Sequence, residues 1–142
     1  MIAGFVGMGQ LVYRLSQRGI PPLAVAAVGM ALFMGVQWAL LFKLGPMLLL
    51  WVLFGFIGVV GTLTYAILTQ AFPPALAGRV NTALNVLVFV AAFAGQWGMG
   101  AIINCWPVSN GYAEPGYQWA FGLALAAQLS TWIWLLLGWR RR

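Results

Sequence analysis

Apolar residues in this chain fall into four runs long enough to cross a bilayer, and polar residues collect in the short gaps between them. About 20 apolar residues match roughly 30 Å of hydrocarbon, and the runs cover residues 22–42, 47–70, 80–103 and 119–139. None has an Asp, Glu, Lys or Arg in its interior. The gaps carry turn chemistry: Pro46 in the first, Pro73, Pro74 and Gly78 in the second, Pro107, Asn110, Gly111, Pro115 and Gly116 in the third. Proline stops one helix because it lacks an N–H, and glycine permits the reversal. Residues 1–12 are apolar and Gly-rich, but as a helix they reach only about 18 Å. They form a partial span. They also lack the basic start and small-residue cleavage site of a signal peptide. The pattern predicts an all-α, polytopic transmembrane helix bundle: four full spans plus a short N-terminal partial span, one membrane domain over residues 1–142.

Composition removes the alternatives. A soluble domain draws roughly a quarter of its residues from Asp, Glu, Lys and Arg, whereas this chain is 6% charged and 63% hydrophobic. The net charge of +6 does not indicate nucleic acid, because the basic residues lie in gaps between apolar runs rather than in one patch interleaved with aromatics. Histidine is absent and Cys105 is the one cysteine, so neither an intrachain disulfide nor a Cys/His metal site can be built. No carboxylate pair, Ser/His/Asp set or phosphate loop is present, and the expectation is a protein that is not an enzyme and needs no cofactor. The glycine clusters at Gly55, Gly58 and Gly61 and at Gly95, Gly98 and Gly100 lie inside apolar helices, where close packing explains them.

Charge also orients the chain. Arg14 and Arg18 precede the first full span, Arg79 follows two crossings later, and Arg140, Arg141 and Arg142 two crossings after that. Six of the seven basic residues thus share a side, which the positive-inside rule makes the cytoplasm. Both termini then face the cytoplasm, while Lys43, Cys105 and Glu114 face outward. Trp106, Tyr112, Tyr117 and Trp119 near the outer boundary and Trp139 at the inner one fit an interfacial belt. The terminal arginine triplet reads as a topological anchor.

Two spans carry polar faces. Gly55, Gly58, Thr62, Tyr65 and Thr69 follow spacings of three and four, which places them on one stripe of a regular helix. Asn81, Asn85 and Gln96 fall within about 60° of one another at 100° per residue. Polar side chains in hydrocarbon need partners, so these faces point inward. They line a solute cavity, or they form a close helix–helix seam whose amides bond between helices. Gln37, Gln128, Ser130 and Thr131 are assigned to packing, and the scattered methionines fill gaps.

Two of the cytoplasmic connections resemble those of the major facilitator superfamily. Gly9, Arg14 and Arg18 match its loop motif, with Tyr13 in place of the acid, Ser16 of a glycine and Gln17 of a basic residue. Pro73, Pro74, Gly78 and Arg79 resemble the connection between that family's tenth and eleventh spans, a proline followed by a Gly-Arg pair that opens the next helix. The resemblance implies that the chain corresponds to the last part of the C-terminal six-helix half, from the end of the eighth span through the twelfth. It makes Thr62, Tyr65, Thr69, Asn85 and Gln96 candidate cavity residues.

The function implied is the C-terminal portion of a secondary-active or facilitative small-solute transporter working by alternating access, inactive without the N-terminal spans. An uncharged lining suggests a small polar solute. The partners expected are the lipid bilayer and the N-terminal transporter half or a second copy, in a bacterial inner membrane. The alternative is a self-contained four-span membrane protein with a structural or accessory role. A four-span dimeric multidrug transporter fits less well, because that design uses a membrane-embedded acid.

Overall fold

The computed structural model describes residues 2–106 and 113–139; the turn residues Pro107, Asn110 and Gly111, the belt residue Tyr112 and the anchor Arg140, Arg141 and Arg142 lie outside the described residues. The described residues are helical, with no strand among them. Four helical stretches are long and apolar enough to cross a membrane: Pro22–Leu41, Met47–Gln70, Pro74–Ile103 and Glu114–Gly138.

The first helix, α1, runs over Ile2–Gln17, five residues past the expected end of the partial span. Nothing between Tyr13 and Gln17 breaks a helix; the break comes at Gly19 (φ +80). There Ile20 N–H donates to Leu15 O at 3.0 Å and Gly19 N–H to Ser16 O at 2.9 Å, the Schellman closure that favours glycine in the left-handed region. Gly9 and Arg14 are consequently helical, and of that motif only Arg18 lies in the turn. The second helix, α2 (Pro22–Leu41), opens on an extended Pro21 with Pro22 in its first turn, where a missing N–H costs nothing. It closes by the same motif, Leu44 N–H to Ala39 O at 2.8 Å and Lys43 N–H to Leu40 O at 3.2 Å. Here a lysine holds the left-handed position (φ 55).

The second span departs from one regular helix. It consists of α3 (Met47–Ile57), a 3-10 segment (Gly58–Thr62) and α4 (Leu63–Gln70). A 3-10 turn takes 3.0 residues instead of 3.6, so a stripe drawn at helical spacing swings by roughly 80° across these residues. Gly55 and Gly58 therefore do not continue the line of Thr62, Tyr65 and Thr69. The next helix, α5 (Ala77–Ile103), follows the short 3-10 turn Pro74–Leu76, and α6 covers Glu114–Trp139. Both begin before their apolar runs. Glu114 and Pro115 in the first turn of α6 suit its positive, donor-rich end.

Helix contacts divide the chain into two compact units, Met1–Thr82 and Ala83–Arg142. In the first, α2 packs on α3, the 3-10 segment and α4, with α1 against α2, α3 and the 3-10 segment. Phe33 and Phe54 lie 4.9 Å apart between ring centroids, and Gly29 abuts Val60. Higher numbers on the second span meet lower numbers on α2, so the two run antiparallel. The core is Val25, Ala26, Ala27, Met34, Leu40, Leu50, Val59 and Val60. Its tightest points are glycines. A Cβ on Gly29 would lie 3.2 Å from Val60 Cβ and overlap Cγ2, one on Gly4 would lie 3.2 Å from Val59 Cγ2, and one on Gly58 would meet Phe33 at 3.2 Å. Lipid is as apolar as leucine, so membrane helices associate through such close packing. In the second unit, Trp106 stacks on Trp119 (6.5 Å, 10°) and Gly116 sits against the Ile103 backbone.

Candidate functional site

The candidate residues divide between the two units: Thr62, Tyr65 and Thr69 belong to the first, Asn85 and Gln96 to the second.

In the first unit, Thr62 closes the 3-10 segment and is exposed. Its Oγ1 donates to Val59 O at 2.8 Å, a bond back into its own turn of the kind that satisfies a hydroxyl in an apolar setting. Tyr65 and Thr69 are half-buried on α4. Thr69 Oγ1 lies 2.5 Å from Tyr65 O and 2.9 Å from Asn81 Oδ1. A hydroxyl has one proton and two lone pairs, so Thr69 donates to one of these acceptors at a time. The stripe expected from spacing is thus an arc, and the surface facing α1 and α2 is Gly58, Val59 and Val60 rather than the threonines.

Asn81 lies on the polar face read from the sequence but outside the candidate cavity residues. It stands twelve positions after Thr69, across the Pro73 and Pro74 connection. Polar residues closing one span and opening the next, either side of a short proline turn, fall at one membrane depth; that signal could have paired them. In the connection the prolines make the turn, but Gly78, expected at the reversal, is already helical, as is Gly116 in α6; among the described residues the glycines with left-handed backbone are Gly19 and Gly45. Pro73 is extended (φ −56, ψ 144), Pro74 starts the 3-10 turn, and Gly78 and Arg79 occupy the first turn of α5. Thr82 Oγ1 donates back to Gly78 O at 3.0 Å.

In the second unit, Asn85 and Gln96 are exposed on α5. The Gln96 side chain makes no hydrogen bond among the described residues. The residues assigned to packing resolve differently. Ser130 and Thr131 donate to carbonyls of their own helix, Ala127 O at 2.8 Å and Gln128 O at 2.9 Å. Gln37 does not: it is 6% exposed within the first unit, and its Oε1 has no partner among the described residues.

Charge is one-sided. Residues 1–82 include Arg14, Arg18, Lys43 and Arg79 and no Asp or Glu. The single acid of the chain, Glu114, accepts from Gln118 Nε2 at 3.2 Å in the first turn of α6.

No family model, curated protein or solved structure matches the chain.

Proposed function

We propose that this membrane protein is the C-terminal portion of a facilitator-type transporter, contributing its ninth to twelfth spans to a small-solute carrier that works by alternating access. The observation that carries the reading is the junction from Pro73 to Arg79. Pro73 is extended, Pro74–Leu76 form a tight turn, and Gly78 and Arg79 fall in the first turn of α5, which supports the reading of a proline followed by a Gly-Arg pair at a helix start. The transport role implies a non-enzyme whose Thr62, Tyr65, Thr69, Asn85 and Gln96 hydrogen-bond a polar solute. Carriers of this type hold substrate near the bilayer midplane between two repeats that rock against each other. One part of one repeat lacks the opposing wall, so activity depends on the N-terminal spans.

The positive-inside count supports an inner-membrane protein with both termini cytoplasmic. In that orientation the exposed Cys105 reacts with an impermeant thiol reagent on intact cells, and a cysteine placed at Ser109 does so if the native thiol is shielded. Labelling of the Ser109 probe only after the membrane is opened reverses the orientation.

The test of function is reconstitution. The isolated chain in proteoliposomes is expected to take up none of a panel of small polar solutes, and to gain saturable uptake of one when co-reconstituted with the spans encoded upstream of its first codon. Saturable, solute-specific uptake by the chain alone overturns the reading in favour of a self-sufficient oligomer. An upstream sequence that encodes no further spans removes its premise.

A further inference from the structure

One end of the first unit gathers positive charge with no acid to meet it. α1 runs into the turn at residues 18–21 and α2 leaves from it; α4 continues α3 antiparallel to α2 and brings the start of α5 to the same end. Arg14, Arg18 and Arg79 stand there, and all three are exposed. Residues 1–82 hold no carboxylate, and among the described residues none of the three guanidinium groups has an ion-pair partner. Their counter-charge comes from outside this unit.

The surroundings say what kind of anion fits. On α1, buried Gly4 and half-buried Met8, Val12 and Leu15 follow spacings of four and three, while Gln10, Arg14 and Gln17 are exposed and repeat the same spacing on the other side. Toward the bundle the helix is apolar, and away from it Gln10, Arg14 and Gln17 share the exposed surface with Phe5, Val6, Leu11 and Tyr13. Beside the arginines, Tyr13 is 66% exposed, Phe72 44%, Ile20 38% and Leu76 38%. Apolar side chains among exposed guanidinium groups suit the boundary of a bilayer, where the carbon enters the acyl layer and the charge stays at phosphate depth. Nucleic acid could stack on Tyr13 and Phe72 but has no counterpart for the aliphatic Ile20 and Leu76, which acyl chains do match.

We propose that Arg14, Arg18 and Arg79 form a docking surface for anionic phospholipid, each guanidinium pairing with headgroup phosphate through its planar fork of donors. The surface lies wholly in the first unit and does not rest on the transport reading.

The test uses the full chain in a neutral detergent, titrated with fluorescent phosphatidylglycerol and, separately, phosphatidylcholine. Phosphatidylglycerol is expected to bind saturably and to be released by salt, with phosphatidylcholine far weaker. Each Arg→Gln change at 14, 18 or 79 is expected to weaken binding by about fivefold, and the triple change to abolish it. Arg→Lys at all three keeps the charge and a salt-sensitive affinity; it and the single variants remain informative should the triple glutamine variant misfold. Gln at 140, 141 and 142 together is expected to leave binding in place. Equal binding of the two lipids overturns the proposal. So does binding that survives the triple change, or that is lost with the C-terminal arginines instead. Displacement by equimolar inorganic phosphate would show a free-phosphate site, and displacement by a short oligonucleotide a nucleic-acid one; either result sinks it.

Discussion

Thr69 Oγ1 lies 2.9 Å from Asn81 Oδ1, which fastens the last turn of α4 to the start of α5 across twelve residues. The contact closes the proline connection from inside, where neither proline supplies an N–H of its own. Interhelical hydrogen bonds in membranes average about 0.6 kcal/mol and reach about 1.7. Thr69→Val and Asn81→Leu should each lower stability by that order in detergent. The double variant should be little worse than the poorer single, as a thermal-melt cycle can measure. Fully additive losses would mean that the two side chains are not coupled.

Gly29 has no room for a side chain. A methyl there overlaps Val60, one of the most enclosed residues of the unit at 2% exposure. Overpacking of this kind costs about 1–3 kcal/mol. Gly29→Ala is expected to lower the melting temperature, and Val60→Ala in the same chain to recover part of the loss. Gly29→Ala at wild-type stability would show that the seam is loose.

Gln37 presents the opposite case, a polar group enclosed where nothing bonds its oxygen. A buried amide without compensation costs about 1–3 kcal/mol by mutational measure. Gln37→Met keeps a similar length and removes the cost, so it should raise stability. A drop in melting temperature instead would reveal a partner for the amide in the assembled protein.

Gln96 tests the cavity reading. It stands about 25 Å along α5 from Arg79 at 1.5 Å per residue, past the middle of the bilayer, while Asn85 lies nearer the arginine end. In a reassembled transporter, Gln96→Leu is expected to reduce uptake with little change in melting temperature, because a watered cavity already solvates the amide. Normal uptake with a lower melting temperature would assign Gln96 to a helix seam, and the Asn85→Leu variant can be scored the same way.

Much of the fold was readable because it rests on length and hydropathy. The four spans, their order and the Pro73 to Arg79 junction need only apolar runs and backbone chemistry. The shape of the second span was not readable. Gly58, Val59, Val60, Gly61 and Thr62 are compatible with a regular helix, and the tighter winding accompanies Val59 and Val60 entering the Gly4 and Gly29 gaps, a tertiary demand that local periodicity does not register. α1 outlasts its apolar stretch because Tyr13 to Gln17 contain no helix breaker, so apolar content ends before helicity does. That Asn81 could bond between helices was readable, but its partner Thr69 was not, because a face drawn on one helix names no residue on the next.

The 3-10 segment also sets a length. Its rise is about 2.0 Å per residue against 1.5 in an α-helix, which adds about 2.5 Å to a span that already has 24 residues against 20 in α2, so Met47–Gln70 measures about 38 Å where α2 measures about 30 Å. Two antiparallel neighbours of unequal length cannot both match one hydrocarbon thickness. The surplus is taken up by tilt, or by carrying Thr69 and Gln70 out to headgroup depth. In a thick bilayer the Thr69 and Asn81 pair is immersed in hydrocarbon and tightens; in a thin one it is wetted and competes with water. The strength of the bond that joins α4 to α5 is thereby expected to vary with bilayer thickness.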